Sequence, residues 1–371
     1  MKFSLPELSS FVAKIPCLIL ISSLSACNTL SPGSLGASSS LEAPLLPQSA
    51  ETLQLASEAE DDIKCSASHS DQENFKVSDY ENVWDRVRAG YALSYTHNSR
   101  IDTYVKWYVR NPSYMARVSE RAEKYLFHIV EELEANDIPL EIALLPIVES
   151  AFDPFAYSHG RASGMWQFVP ATGRQYGLKQ NWWYDGRRDV VASTQAAIDY
   201  LSYLNKRYKG DWLLALAAYN SGEGNVAKAM RKNRKAGKPL DFWSLQLPRE
   251  TRAYVPQLLA LSKVVLDVSA QKVQLNAIAN KPWFAAIDMG SQIDLAQAAR
   301  MAEMNIDQLY KLNPGFNRWA TDPDGPHTLL IPLDKSEQFS SALRTLPAEK
   351  RIGWKSYTCT PGDSLLRISK Q

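Results

Sequence analysis

The stretch Pro139-Leu-Glu-Ile-Ala-Leu-Leu-Pro-Ile-Val-Glu-Ser150 decides the fold of this chain, because it is apolar on nearly every face. A helix of that kind is buried in the middle of a domain. Glu149 ends the apolar run. Burial raises the pKa of a carboxyl, and a carboxyl that stays protonated near neutral pH can donate a proton to a leaving group. These residues alone leave two alternatives open, a general acid or a glutamate that is exposed or capping at a helix end.

The segments around this stretch have helical periodicity and little strand alternation, which predicts an all-α domain over residues 76–275. Asp189 and Asp211 are predicted N-caps of two helices, and a last helix is predicted to begin at Thr251. One amphipathic helix is predicted after Pro112, and its apolar stripe is Met115, Val118, Ala122, Leu126, Ile129 and Leu133.

Four short motifs follow one another in a fixed order. They are Glu149-Ser150, Gly164-Met165-Trp166-Gln167, Ala218-Tyr219-Asn220 and Glu250-Thr-Arg-Ala-Tyr254. In this order and spacing they resemble the lytic transglycosylases of the goose-lysozyme-like superfamily, whose catalytic domain is lysozyme-like. The Met-Trp pair of the second motif departs from the commonest form and resembles the membrane-bound lytic murein transglycosylase D branch. The resemblance covers about residues 76–335.

The resemblance implies an enzyme of cell-wall turnover that cleaves the β-1,4 bond between N-acetylmuramic acid and N-acetylglucosamine in peptidoglycan. In that family the C6 hydroxyl of the muramic residue attacks its own C1 and leaves a 1,6-anhydro end. One carboxyl then suffices where an ordinary glycosidase pairs two. Glu149 carries over as the catalytic acid and base. The substrate-binding residues that the resemblance implies are Ser158, Met165, Gln167, Tyr219, Asn220 and Tyr254.

Other residues near these motifs have two interpretations each. Asp153, Asp185 and Asp189 are candidates for a second carboxylate, and we expect structural roles for Asp153 and Asp189. The run Trp182-Trp183-Tyr184 is either a stacking platform for a sugar ring or part of the core. The basic run from Arg231 to Lys238 is expected to be a solvated loop, with contact to peptide carboxylates as the alternative.

The N-terminus has the features of a lipoprotein signal peptide over residues 1–26. Its apolar run from Ile15 to Ser23 is too short to cross a bilayer, which needs roughly 20 residues. Leu24-Ser-Ala-Cys27 resembles a bacterial lipobox, which implies lipidation of Cys27. Asn28 follows where an aspartate would retain a lipoprotein in the inner membrane, so we expect an outer-membrane anchor facing the periplasm. Residues 27–75 are predicted to be a disordered tether.

The C-terminal part has a strand-helix-helix-strand pattern that resembles a degenerate LysM module, which binds N-acetylglucosamine-containing chains. Short helices are predicted at Leu295 to Met301 and Asp307 to Pro314, and a strand at Leu329 to Pro332. This α+β module is expected over residues 280–335, with a plain structural appendage as the alternative. Residues 356–371 resemble the truncated start of a further LysM module.

Composition excludes several other classes. The formal net charge is +1, which argues against a nucleic-acid-binding protein, since such proteins usually have a basic excess. The four cysteines lack zinc-ligand spacing, and no motif requires a metal or cofactor. Peptidoglycan glycan strands and a lipid anchor are the expected partners, and the chain is expected to be a monomer. A lysozyme-like hydrolase and a non-catalytic peptidoglycan-binding lipoprotein are the alternative functions.

Overall fold

The computed structural model of this 371-residue protein describes residues 80–269, 271, 273–353 and 364. The predicted signal peptide, Cys27 and the predicted tether lie outside the described residues. So does the predicted LysM start at 356–371, apart from Ser364. The long helical segment and the C-terminal strand-containing segment are both described.

Within the described part of the chain, ten α-helices precede the first strand. They are α1 (Val83–Ala89), α2 (Ser99–Arg110), α3 (Pro112–Ala122), α4 (Leu126–Ala135), α5 (Leu145–Ser150), α6 (Pro170–Gln175), α7 (Val190–Arg207), α8 (Trp212–Ser221), α9 (Glu223–Lys235) and α10 (Arg249–Leu266). Two 3-10 helices, Leu140–Leu144 and Phe242–Ser244, connect some of them. The predicted mainly α fold is confirmed.

The apolar stretch from Pro139 to Ser150 lies in the core as predicted, but it is not one helix. It consists of the 3-10 helix Leu140–Leu144 followed by α5, and the long helix α10 packs against both. Pro146 explains the break, because a proline has no N–H and its ring clashes with the carbonyl four residues earlier. Proline is tolerated in the first turn of a helix, which is its position in α5.

The predicted caps are confirmed and the predicted amphipathic helix is divided. Asp189 accepts a hydrogen bond from Ala192 N at 2.8 Å, and Asp211 accepts one from Leu214 N at 3.0 Å. The six apolar stripe residues are all buried, but α3 and α4 share them across a turn at residues 123–125. The periodicity continues through this turn, which is why the sequence pattern did not reveal it.

The prediction of a basic loop from Arg231 to Lys238 is partly wrong, because its first five residues form the C-terminal part of α9. The buried face of α9 is formed by Val226, Ala229 and Asn233, which are three and four residues apart. The basic side chains occupy the opposite, exposed face of the helix.

The predicted strand-helix-helix-strand order is present. Strand β1 (Phe284–Asp288) pairs antiparallel with β2 (Thr328–Pro332), so that Phe284 lies opposite Pro332 and Asp288 opposite Thr328. Between the strands lie α11 (Leu295–Met301) and α12 (Ile306–Leu312). The sequence did not predict α13 (Leu333–Thr345), which packs on both strands and buries Phe339.

The C-terminal segment is joined to the helical domain at a loop formed by residues 179–188. The buried carboxylate of Asp322 accepts hydrogen bonds from Lys179 Nζ at 2.9 Å and Asn181 Nδ2 at 2.6 Å. Burial acts to raise the pKa of Asp322, but these hydrogen bonds outweigh it and leave the pKa below its usual value. Asp185 N also donates to Gly315 O at 2.8 Å. Polar and backbone contacts therefore hold the loop and the C-terminal segment together.

Candidate active site

Glu149 lies in the last turn of α5, at the end of the buried apolar stretch. The two residues after Ser150, Ala151 and Phe152, have φ angles of 53° and 56°, so the chain reverses immediately beyond the acid. Glu149 itself is half-buried. Glu149 thus follows a run of buried residues and is itself partly exposed, which is the position that an acid needs in order to meet a substrate.

The pKa of Glu149 is raised to about 8, principally because burial disfavours the charged carboxylate. The hydroxyl of Tyr254 donates a hydrogen bond to Glu149 Oε1 and opposes this shift. The negative charge of Glu250 reinforces it. At neutral pH the carboxyl therefore holds its proton, which is what a general acid requires.

Two tyrosines border this carboxyl. Tyr254 lies in α10 and contacts it directly, and Tyr219 lies in α8 and donates to the backbone oxygen of Trp166 at 2.8 Å. Burial raises the pKa of both hydroxyls, and the neighbouring charge of Glu149 raises it further. Both phenols are therefore protonated donors at physiological pH.

The second motif forms the wall beside the acid. Ser150 Oγ donates to Met165 O at 3.0 Å, which ties α5 to this segment. Gly164 has a φ of 83°, and a Cβ there would lie 1.8 Å from Arg187 O, so only glycine fits. Met165 and Trp166 are almost fully buried, at 1% and 0% exposure. The Trp166 indole donates to Thr194 Oγ1 at 3.0 Å.

The side chains of Gln167, Ser158 and Asn220 are each held by a hydrogen bond within the protein. Gln167 Nε2 donates to Gly164 O at 2.8 Å. Ser158 Oγ accepts from Ala162 N at 3.1 Å, and Asn220 Oδ1 accepts from Thr251 Oγ1 at 2.8 Å. These bonds fix the side chains that the resemblance assigns to substrate binding. That assignment, like those of Met165, Tyr219 and Tyr254, stays a prediction.

The three aspartates considered as second carboxylates all have structural contacts. Asp153 Oδ1 accepts from Phe155 N at 2.9 Å, and Asp189 caps α7. Asp185 forms an ion pair with Arg187 at 2.7 Å. The carboxylate whose charge acts on Glu149 is instead Glu250, which sequence reasoning missed. It lies four residues before Tyr254, close to one helical turn, so the fourth motif contained the signal.

Arg187 is a second residue that sequence reasoning missed. It is only 7% exposed, and its guanidinium donates to Arg161 O at 2.7 Å and to Phe168 O at 3.2 Å. The ion pair with Asp185 compensates its charge. Arg187 thereby braces the segment that carries Gln167, and its own carbonyl is the atom that excludes a side chain at Gly164.

Neither a metal site nor a membrane-spanning helix emerges from the described residues. Their His, Cys, Asp and Glu side chains form no group of three or more that is arranged to hold a metal ion. No helix in the same part of the chain is long and apolar enough to cross a membrane.

Comparison with known proteins gives matches to two families. The family described as "Transglycosylase SLT domain" matches residues 128–242, which include Glu149 and Gln167. The family described as "Lytic transglycosylase MltD, LysM-like domain" matches residues 284–348, beyond the limit at 335 that we expected for this module. The chain belongs to the lytic transglycosylases. This confirms the family that the four motifs indicated.

Two individual relatives match long parts of the chain. The membrane-bound lytic murein transglycosylase D of Escherichia coli (strain K12) is 40% identical over 299 residues, which cover 78% of this chain and 66% of that protein. The chain thus spans slightly less than two thirds of that relative. A protein of Alteromonas sp. (strain M-1) named for tributyltin chloride resistance is 36% identical over 188 residues, covering 51% of this chain and 89% of that protein.

One similar solved structure is that of an inactive variant of the lytic transglycosylase Slt from Pseudomonas aeruginosa. Its sequence identity is 24%, its TM-score is 0.31, and the match covers 40% of this chain and 24% of that one.

The raised pKa of Glu149 predicts a measurable effect on stability. Between about pH 4.5 and pH 8 the folded lytic transglycosylase keeps a proton that the unfolded chain loses, so the free energy of unfolding falls as pH rises. The variant Glu149→Gln has no ionisable group at this position, so this contribution to the fall in its free energy of unfolding is absent. Relative to wild type, the free energy of unfolding of the variant should increase by about 2 kcal/mol between pH 5 and pH 8.5. This value is smaller than the full pKa shift would give, because Glu149 is partly exposed and solvent screens its charge. Urea denaturation at both pH values measures it.

The matched control is Glu120→Gln, which removes an exposed carboxyl from α3. Its stability difference from wild type should be the same at both pH values. A Glu149→Gln difference that is equally independent of pH would mean that the wild-type carboxyl is ionised at pH 5 and is not held protonated by burial.

Proposed function

We propose that this lytic transglycosylase cleaves the β-1,4 bond between N-acetylmuramic acid and N-acetylglucosamine of peptidoglycan and leaves 1,6-anhydro ends. The observation that carries the proposal is the half-buried carboxyl of Glu149, with a pKa of about 8 and a tyrosine hydroxyl on it. It supplies a proton at neutral pH, where an exposed glutamate is ionised. The name of the Escherichia coli relative gives murein as the material on which that protein acts.

In the proposed reaction Glu149 protonates the glycosidic oxygen as the bond from C1 to that oxygen breaks. The C6 oxygen of the same muramic residue then bonds to C1, and its proton passes to the Glu149 carboxylate, which restores the acid. Tyr254 donates to the carboxylate in the interval when it is charged. Because the attacking oxygen belongs to the substrate, no second carboxylate is needed, which agrees with the structural contacts of Asp153, Asp185 and Asp189.

One observation favours a second candidate function, a lysozyme-like hydrolase in which water attacks C1. Glu250 is exposed and its charge acts on Glu149, so it is available as a base that activates a water molecule. The two functions differ in their products, because an anhydro end lacks one water relative to a hydrolytic end. They also differ in their need for Glu250, which only the hydrolase requires.

The decisive variant is Glu149→Gln, which keeps the shape and removes the transferable proton. We expect its rate of murein cleavage to fall about 10²- to 10⁴-fold, the usual contribution of general acid–base catalysis. Mass spectrometry of digested sacculi should give anhydro ends with wild type and with Glu250→Gln. Glu120→Gln, which removes an exposed carboxyl from α3, is the control for activity.

Two results would contradict the proposal in different ways. Hydrolytic ends that disappear in Glu250→Gln would establish the hydrolase. Substantial turnover by Glu149→Gln would place the acid elsewhere. The third candidate, a non-catalytic peptidoglycan-binding lipoprotein, requires wild type to release no muropeptides at all.

The proposed location is the cell envelope, with a lipid on Cys27 and the protein at the outer membrane facing the periplasm. The lipobox-like sequence ending at Cys27 and the name "membrane-bound" of the Escherichia coli relative support it. Cys27→Ser should move the protein from the membrane fraction to the soluble periplasm, because an unlipidated chain loses its acyl anchor. Fractionation and immunoblotting measure this, and unchanged membrane association of the variant would contradict the anchor.

The proposed organisation is a signal peptide over residues 1–26 and a tether over 27–75, followed by a catalytic domain over 76–275 and a LysM-like module from 280. The contacts of Asp322 with Lys179 and Asn181 support a module that is docked on the catalytic domain. Glycan strands are its proposed partner, and the protein acts as a monomer.

A further inference from the structure

Two tryptophans lie at the tip of a short hairpin outside the site that holds Glu149. Gln180 and Asp185 form its closing bridge, and Asn181 Oδ1 accepts from the backbone N–H groups of Trp183 and Tyr184, at 2.9 and 2.8 Å. Trp182 projects from this turn with 58% of its surface exposed. The ring centroids of Trp182 and Trp183 are 4.7 Å apart and their planes are at 88°, so the two indoles form a corner.

The LysM-like module completes this corner. Trp319 lies in the segment between α12 and β2, is 40% exposed, and has its ring centroid 6.1 Å from that of Trp183. The guanidinium carbon of Arg318 lies 3.9 Å from the ring centroid of Trp182, a cation–π contact that holds the ring in place. A backbone hydrogen bond joins the hairpin to the LysM-like module, since Asn317 N donates to Trp183 O at 2.8 Å. We call Trp182, Trp183, Trp319 and Arg318 the tryptophan platform.

A packing role does not account for the whole platform. Trp183 is partly buried against the core of the module, as a packing residue should be. Trp182 and Trp319 are not buried, although tryptophan gains more from burial than most side chains. The guanidinium of the half-buried Arg318 makes one hydrogen bond in the described part of the chain, from Nη1 to Asn317 O at 3.4 Å, so it has donor capacity left. The platform is thus held in position and left open.

The size and chemistry of the platform determine its occupant. Three side chains and one guanidinium are far smaller than a stable protein–protein interface, which buries about 800 Å² on each partner. They match a single pyranose, whose apolar face stacks on an indole and whose hydroxyl groups accept from a cation. Carboxylates on the peptide stems of murein would also accept from Arg318.

We propose that the tryptophan platform is a second glycan-binding site, composed of the catalytic domain and the LysM-like module together, that holds a sugar ring of a peptidoglycan strand. The proposal rests on the proposed function for its ligand class. It differs from the candidate active site in its residues and in its chemistry, which is stacking without proton transfer.

The platform and the acid belong to one braced structure. Arg187, two residues beyond the closing bridge of the hairpin, donates to Phe168 O at 3.2 Å, and Phe168 adjoins Gln167. A glycan held at the platform is therefore kept within the same connected structure as Glu149, and its local concentration at the active site rises. The platform should consequently lower the strand concentration needed for half-maximal cleavage and leave the maximal rate unchanged.

The test measures binding of uncross-linked glycan strands, prepared from sacculi by removing the peptides with an amidase, to proteins carrying Glu149→Gln to suppress cleavage. Trp182→Ala should weaken binding about two- to ten-fold and Trp182→Phe by less, because a ring remains for stacking. Trp319→Ala should also weaken binding. Leu266→Ala is the control, because Leu266 is 56% exposed and ends α10, about 18 Å along the helix from Tyr254.

A second measurement uses proteins with Glu149 intact. Trp182→Ala should raise KM for glycan strands and leave kcat unchanged, which a folding defect would not do. Equal binding by wild type, Trp182→Ala and Trp319→Ala would overturn the platform. Self-association of wild type that Trp182→Ala abolishes would assign the surface to a second copy and overturn it as well. Failure of the proposed function is distinguishable, because it appears as missing anhydro ends in wild type.

Discussion

The burial of one carboxyl group at the end of an apolar stretch is the constraint on which the rest of this structure depends. Residues 139–150 pass through the core, so Glu149 is placed where its charged form is disfavoured and its pKa rises to about 8. The cost is that stability falls with pH across the physiological range. Tyr254 moderates this cost, since its hydroxyl stabilises the ionised form and brings the pKa closer to neutral.

The surroundings of the acid are built to be rigid. Ser150, the residue after it, donates to Met165 O, and Tyr219 donates to Trp166 O, so both hold the segment that forms the wall beside the acid. Arg187 holds the same segment at another point, by its hydrogen bond to Phe168 O. A site that relies on one carboxyl depends on such positioning, because reactivity falls steeply when a proton donor is misplaced by as little as about 1 Å.

The loop at residues 179–188 connects the chemistry to the C-terminal module. It carries Arg187 toward the active site, and it also carries Lys179 and Asn181 toward Asp322 of the module. In this structure the LysM-like segment is therefore not an independent unit on a flexible linker. The covalent order of the chain conceals this contact, because Asn181 and Asp322 are 141 residues apart in sequence.

Local patterns in the sequence predicted what local physics determines. Asp189 and Asp211 were recognisable as caps, and the short C-terminal helices and strand followed from turn residues and periodicity. The break between α3 and α4 escaped prediction because the apolar spacing runs through it. The ion pair of Arg187 and the contacts of Asp322 escaped because they depend on tertiary neighbours, and Glu250 because helical geometry, not residue type, brings its charge to Glu149.

The most direct test of the central claim is a titration of the Glu149 carboxyl itself. Carbon-13 labelling of glutamate side chains, with Glu149→Gln to assign the resonance, gives the carboxyl chemical shift as a function of pH in the folded protein. The account predicts a midpoint near 8, shifted upward in Tyr254→Phe because the hydrogen bond that stabilises the carboxylate is lost. A midpoint near 4.5, the ordinary value for an exposed glutamate, would contradict it.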